Sequence, residues 1–465
     1  MGNWALVILR SGTGKMPIPQ KFNLIVGRAS CPPLNSLLQM LQHFSLHKLW
    51  RFSSIALCCL ALSIGLFFSL QSPPSPAAQK PRTLAFTALQ RRGSEVRNSL
   101  FTINANGADR RELTPKIDVS STLVWSPNGQ RLAFVSGDTD VYTVNADGSR
   151  LTKQFAGEFC KAPNFAIAWF SNSQKLVFAR SCDGFTSDTP GSQSLYLSDT
   201  AGIKGTKLIR DFAVGGYPPK TEISSEFYLS PDGQQVAFVK DQNICKMNAD
   251  GSGMTKLTKS PGEYTNGGSK LVWSPDRTKI AFLFGTYPQQ QIYTINADGT
   301  HLKNLTNNPK NQVYNVNLFW SPDSTQIAYY YNKPGDLSGQ QQDIYAIDIN
   351  RGKSRNITHK PRNYDAISWS PDGKFIAFTA GNLSEKKLYT INADGSNLTQ
   401  LATPLKMSVI YELAWSYESQ QIAFTFPEIP GDKSSLYVIN QTGSGLTKLT
   451  NNQDLNASHP VWQPN

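Results

Sequence analysis

The chain's 465 residues carry a formal net charge of +12, unevenly spread: residues 1–78 hold six Lys or Arg and no Asp or Glu, leaving 39 basic against 33 acidic residues. So mild a surplus, with no basic run interleaved with aromatics, argues against a nucleic-acid-binding protein. Proline and glycine are frequent and runs of helix formers scarce, which favours strands joined by turns.

In chain order, residues 1–51 form an N-terminal extension, of which 1–39 show neither periodicity nor a targeting pattern. Met40 begins "MLQHFSLHKLWRFSSIALCCL", which has the proportions of an export signal. Translation is therefore expected to start at Met40, leaving 1–39 untranslated. Residues 52–70, "FSSIALCCLALSIGLFFSL", are nineteen residues without a charge, enough to cross a bilayer core of about 30 Å as a helix. Lys48 and Arg51 lie just before this run, an order that keeps the N-terminus in the cytoplasm and exports the polypeptide beyond the run. Residues 71–81, "QSPPSPAAQKP", are a proline-rich linker that cannot continue a helix. Ser75-Pro76-Ala77 offers small residues for cleavage with a proline at their centre, so a cleaved signal peptide and a retained anchor both stay open.

Cys58 and Cys59 lie inside the apolar run, and Leu57 stands where a lipid-attachment site needs a small residue. Cys160 precedes one predicted strand and Cys182 follows the next, so antiparallel pairing could place them within disulfide distance. Cys245, on a predicted strand, reads as a small buried hydrophobe.

From residue 82 onward the sequence repeats itself. "WSPNGQRLAF" at 125–134 recurs as "LSPDGQQVAF" at 229–238, "WSPDRTKIAF" at 273–282, "WSPDSTQIAY" at 320–329 and "WSPDGKFIAF" at 369–378. The leading residues are Trp125, Trp169, Leu229, Trp273, Trp320, Trp369, Trp415 and Trp462, in steps of 44, 60, 44, 47, 49, 46 and 47 residues. An alternating strand and turn follows each apolar "IAF" strand, as in "YTVNADG" 142–148 and "YTINADG" 293–299, and then a short "LT" strand. "SPDG" and "NADG" suit tight turns, with glycine taking the left-handed position. Each unit thus predicts four short antiparallel strands.

The ends predict the topology. The first unit, beginning "LAF" at 84–86, lacks a "WSPD" strand of its own, and the sequence finishes on "HPVWQPN", a strand of that type with no unit after it. The C-terminal strand is expected to complete the first blade of an all-β, eight-bladed β-propeller over residues 82–465. Seven blades is the alternative if the long third unit is irregular. One blade cannot bury both faces of its sheet, so the aromatics read as packing between neighbours rather than as a carbohydrate platform.

The pairing of "WSPDGxxIAF" with "IYxINADGxxLxxLT" resembles the propeller of TolB, a periplasmic Tol-system protein, and those of the tricorn protease and prolyl oligopeptidase families. The match covers about residues 82–462. The resemblance implies an exported, non-catalytic propeller, periplasmic or otherwise extracytoplasmic, that binds an envelope protein or lipoprotein. The TolB family has an α/β domain before a six-bladed ring. Here a short linker leads straight to the first predicted strand, and eight blades are expected.

Catalytic chemistry is sparse. There is no G-x-S-x-G, no H-E-x-x-H, no phosphate loop and no C-x-x-C. Of five histidines, only His359 and His459 fall in loops leading into first strands, too few for a metal cluster. Asp147, Asp250, Asp298 and Asp394 of the "NADG" turns supply one carboxylate each and read as turn chemistry rather than calcium loops. No cofactor is expected, and a monomer is.

The candidate binding positions ring the channel mouth. Three residues before each repeat landmark stand Thr122, Ala166, Glu226, Lys270, Asn317, Ala366, Glu412 and His459, to which strand alternation assigns one orientation. Glu226, Lys270, Asn317, Glu412 and His459, with Tyr364, Asp365 and Tyr411 beside them, could form either a hydrated channel entrance or a docking mouth for a protein, with tyrosines as anchors. The alternative function is a glycan-cleaving or metal-assisted lyase or hydrolase using the same mouth. A third is a purely architectural ring.

Overall fold

The computed structural model describes residues 82–137, 140–156, 164–182, 191–199, 206–214, 227–240, 243–259, 271–285, 290–307, 317–332, 342–360, 363–381, 386–401, 412–427, 433–451 and 455–464. The expectations for the N-terminal extension, the apolar segment and the linker lie outside these residues, as do Cys160 and the side chain of Cys182. Among the described residues, no helix is long and apolar enough to cross a membrane.

Eight four-stranded antiparallel sheets are present, forming the blades of a propeller. The long third unit is a complete blade, with strands Asn164–Trp169, Leu176–Cys182, Gly191–Ser198 and Thr206–Val214, so the count is eight rather than seven. Blade 1 is ordered Arg111–Glu112, Glu95–Asn104, Thr83–Arg92, Leu455–Trp462, with Leu84 opposite Trp462 and Ala85 opposite Val461. The last strand therefore closes the ring, as the sequence repeat requires.

The "IAF" strands make the core because each presents a small face and a large face. Ile280, Ala281 and Phe282 are fully buried. Ile280 and Phe282 pack with Trp273 against Ala237, Val239 and Ile244 of blade 4. Ala281 faces the other way, where it meets Trp320, Ile327 and Tyr329 of blade 6. Large side chains of one blade thus fill the shallow face left by alanine on the blade before it, and stacking buries what a lone sheet would expose. Within blades, the phenylalanine stacks on the opposing tyrosine, as in Phe134–Tyr142 at 5.6 Å and Phe378–Tyr389 at 5.6 Å between ring centroids.

A polar ladder runs round the ring. Each landmark indole N–H donates to a backbone carbonyl one blade back: Trp125 to Val461, Trp169 to Val124, Trp273 to Tyr228, Trp320 to Val272, Trp369 to Phe319, Trp415 to Ser368 and Trp462 to Ala414, all within 2.9–3.3 Å. Leu229 has no N–H to give, so the seam between blades 3 and 4 lacks this bond. The "LT" threonines supply a second set of links inside the blades. Thr114, Thr258, Thr306, Thr358 and Thr450 accept the backbone N–H of Leu100, Ile244, Ile292, Ile344 and Leu436, satisfying a buried donor where the outer strand ends.

The "SPDG" and "NADG" turns gather on one face of the ring, the turn face. The connections between blades and between second and third strands lie on the opposite, loop face. At the glycine position of "SPDG" the backbone is left-handed whichever residue stands there: Gly129, Ser173, Gly233, Arg277, Ser324, Gly373 and Ser419 all have φ between 58° and 70°. Two of these positions admit little but glycine, because a Cβ on Gly129 would lie 2.8 Å from the Pro464 carbonyl oxygen and one on Gly233 2.9 Å from that of Trp169. Where serine replaces it, the hydroxyl is used: Ser173, Ser324 and Ser419 accept the backbone N–H of Asn128, Asp276 and Asp372 one blade back.

Candidate functional site

Five of the predicted mouth residues fall in the described structure: Asn317, Tyr364, Asp365, Glu412 and His459. Glu226, Lys270 and Tyr411 lie outside it. Glu412, entering blade 8, and His459, on the closing strand, come together across their seam. The Glu412 carboxylate lies 2.9 Å from His459 Nε2 and also accepts the His459 backbone N–H. His459 Nδ1 is 3.2 Å from the Thr87 hydroxyl, which is in turn 2.9 Å from the Ser458 hydroxyl.

This carboxylate–imidazole–hydroxyl order resembles an activated nucleophile in sequence of groups but not in access. Thr87 is fully buried, so its oxygen cannot meet a substrate. The imidazole and its carboxylate are each about one-third exposed, 31% and 33%. What the arrangement does is join the closing strand to blade 8 on one side and to Thr83–Arg92 on the other.

The local backbone explains how His459 reaches both. The pairing of the closing strand shifts between Ala85 and Thr87, leaving His459 and Pro460 opposite Phe86 alone, and His459 has a left-handed φ of 53°. Ala366, the matching residue of blade 7, has φ 51°, and the pairing there shifts between Asp365 and Ser368. An extra residue in the strand reverses the alternation before it. The expectation of one shared orientation is therefore corrected at these two blades.

Tyr364, expected beside the mouth, is corrected because the first strand of blade 7 already begins at Asn363 and takes it into the sheet. It lies buried at 4% exposure, its ring edge-on to Phe378 at 5.4 Å and its hydroxyl donating to the Lys360 carbonyl at 2.5 Å. It packs the core of blade 7 and offers no surface for an anchor. Asp365, nearly half exposed, pairs with the ammonium of Lys386, which is only 8% exposed and belongs to the third strand of the blade. Burial pushes the Lys386 ammonium below its usual range. No sequence signal foretold Lys386, since its distance along the chain from Asp365 is closed only by the sheet. Asn317 is exposed ahead of Leu318–Trp320.

On the turn face the aspartates of "NADG" are engaged by their own turns. Asp298 accepts the Thr300 hydroxyl at 2.6 Å and its N–H at 2.9 Å, which hold the carboxyl below the ordinary range. Asp147, Asp250 and Asp394 do the same with Ser149, Ser252 and Ser396. A cavity of about 540 Å³ opens on this face across the turns of blades 3, 4 and 5, lined by Phe170, Lys175, Asp232, Asn248, Asp276 and Arg277 among others. Arg277 bridges to Asp232 at 2.7 Å across that lining.

The family model of the TolB β-propeller domain, PD40, matches residues 221–405 and 268–465, together more than half of the sequence. The chain belongs to the TolB β-propeller family. TolB of Acinetobacter baumannii is 12% identical over 82% of this chain and 83% of its own, with a TM-score of 0.39. A prolyl endopeptidase structure, 12% identical, covers 78% of this chain and 55% of its own with a TM-score of 0.50, a likeness of fold. An uncharacterized protein of Agrobacterium fabrum is 29% identical over 65 residues, 14% of this chain. The match spans 22% of that relative's length. This TolB-family propeller thus has eight blades and a histidine–carboxylate pair at its closure.

Proposed function

We propose that this TolB-family chain is an exported, non-catalytic propeller that binds an envelope protein or lipoprotein, acting outside the cytoplasm and tethered by residues 52–70 where these are retained. Membership of the family supports the interaction role. The observation that carries the non-catalytic reading is the fate of His459. Its ring nitrogens face Glu412 and the buried Thr87, contacts within the protein that hold the closing strand. Asn317, Asp365 and Glu412 remain partly or fully exposed on the loop face and supply polar contact positions there.

Cross-linking in intact cells, with a tagged full-length protein and mass spectrometry of the captured species, tests this reading. Capture of an envelope protein or lipoprotein through loop-face residues, lost on Asp365→Ala with Asn317→Ala, supports it. Turnover of an oligosaccharide or peptide that disappears with Glu412→Gln, in a variant that remains folded, overturns it in favour of an enzyme.

A further inference from the structure

Two departures from the repeat meet in one cavity. The residue after each landmark is serine in six blades: Ser126, Ser230, Ser274, Ser321, Ser370 and Ser416. In all six its hydroxyl accepts the backbone N–H five residues on, which braces the turn. Blade 3 has Phe170 there, and gives up that bond for a phenyl ring. The second departure is Arg277, which occupies the glycine place of the blade 5 turn with a φ of 65°. The other described residues at that place are glycine or serine. Left-handed backbone disfavours a side chain of this size. Its bridge to Asp232 does not explain its presence, because the guanidinium side chain is 54% exposed and so wet a pair contributes little.

Both side chains line the cavity of about 540 Å³ across the turns of blades 3, 4 and 5. That volume falls among those of small-molecule sites, about 300–1,000 Å³. A groove of about 430 Å³ between the turns of blades 4 and 5 has neither an aromatic ring nor a guanidinium in its lining. The repeat by itself thus leaves a groove, and the two departures furnish one cavity with a ring and a fork of donors.

The lining selects the ligand. Phe170 and Leu197, both partly buried, give the cavity an apolar side. Lys175 and Arg277 stand against Asp232, Asp250 and Asp276, so charge nearly cancels and an ion of neither sign is favoured. The three carboxylates accept hydroxyls of their own turns, from Ser230, Ser252 and Thr278. The amides of Gln234 and Gln235 make no side-chain hydrogen bond among the described residues, which leaves donors and acceptors for a ligand. A molecule with an apolar C–H face and a rim of hydroxyls, which both donate and accept, satisfies both halves of this lining. A pyranose ring has that form.

We propose that this cavity binds a neutral saccharide, one or two sugar rings of a glycan, with Phe170 against the C–H face and Arg277, Gln234 and Gln235 bonding hydroxyls. Phe170 is not one of the landmark aromatics, which pack between blades. The site is on the turn face, away from the loop-face positions of the proposed function, and neither reading depends on the other.

Saturation-transfer NMR of the full-length chain in sugar-free detergent micelles tests it, with cellobiose, maltose and N,N′-diacetylchitobiose as probes. The expected result is transfer to the C–H protons of at least one of the three, with a Kd of about 1 mM or tighter. Phe170→Ser and Arg277→Gly each restore the residue that the repeat uses, and each should raise that Kd at least about tenfold. Arg277→Gly relieves the left-handed backbone, so it decides alone if the other variant loses its native tryptophan fluorescence. No transfer to any of the three sugars overturns the proposal. Transfer that survives the substitutions puts the sugar elsewhere on the molecule and overturns it too. Dialanine or inorganic phosphate bound in preference to all three assigns the cavity to a zwitterion or an anion and likewise overturns it.

Discussion

The seam between blades 4 and 5 and the seam between blades 3 and 4 were written by the same repeat with its facing pair changed: Trp273 meets Ala237 at the first, Leu229 meets Val177 at the second. At the first, Trp273 donates to the Tyr228 carbonyl at 2.9 Å, and the side chain is buried among Ala237, Val239 and Ile244. At the second, Leu229 is half-buried against the fully buried Val177, and the indole bond is missing. Where leucine replaces tryptophan, valine replaces the facing alanine, so the seam keeps a buried contact and loses the hydrogen bond that ties one blade to the next.

The largest effect that would break this comparison is removal of the ring's last link. Deleting residues 455–465 leaves the strand Thr83–Arg92 with an unpaired edge, and the expected product aggregates or unfolds without cooperativity, read by denaturant titration and light scattering. A sharp, native-like transition would show that ring closure contributes little. Next is Trp273→Ala, which should cost about 3–5 kcal/mol through lost burial and the cavity left behind. Trp273→Phe keeps most of the volume and loses the hydrogen bond, and about 1 kcal/mol is expected from urea midpoints at constant slope. The reciprocal change, Leu229→Trp together with Val177→Ala, gives this seam the facing pair of its neighbours. With the Ala168 carbonyl available one blade back, it should raise stability by about 0.5–1 kcal/mol. Destabilisation would mean that the third blade's long unit has reset the seam so that an indole no longer fits.

The smallest effect concerns the turn aspartates. The hydroxyls of Ser149, Ser252, Thr300 and Ser396 hold Asp147, Asp250, Asp298 and Asp394 below the ordinary carboxylate range. A depressed folded pKa contributes stability that is complete above the unfolded value of about 3.9 and drains as pH falls through the folded one. Melting temperature should therefore fall on acidification below about pH 4, and less steeply when the four aspartates are changed to asparagine. Equal slopes in the two proteins would show that these turns form no better with the carboxylate than without it.

The architecture was open to reading because its units are written with the same few devices. Trp462 in "HPVWQPN" has no unit after it, and "LAF" at 84 has no tryptophan before it, so closure was readable from the two ends alone. The irregular third unit was harder, since a step of 60 residues says only that something was inserted. The mouth was read less well. Strand alternation holds only while pairing stays in step, and the left-handed Ala366 and His459 break step without a glycine to announce it. Tyr364 lies in the core because the first strand of blade 7 already begins at Asn363. The meeting of Glu412 and His459 was legible in kind, because both stand three residues before a landmark tryptophan in neighbouring units. Lys386 beside Asp365 was not, because nothing in a repeat indicates how far a side chain on the third strand will reach.

Closure by Leu455–Trp462 also bears on how the protein is made. The first strand of the described ring, Thr83–Arg92, waits for the ring's last one as its neighbour, with seven other blades synthesised in between. A contact so distant along the chain is slow to form and leaves an open edge exposed meanwhile. A polypeptide broken off anywhere before Leu455 never hides that edge. A bare strand of this kind is a template for pairing with other chains, so completeness of the polypeptide and solubility are tied together by one strand pair.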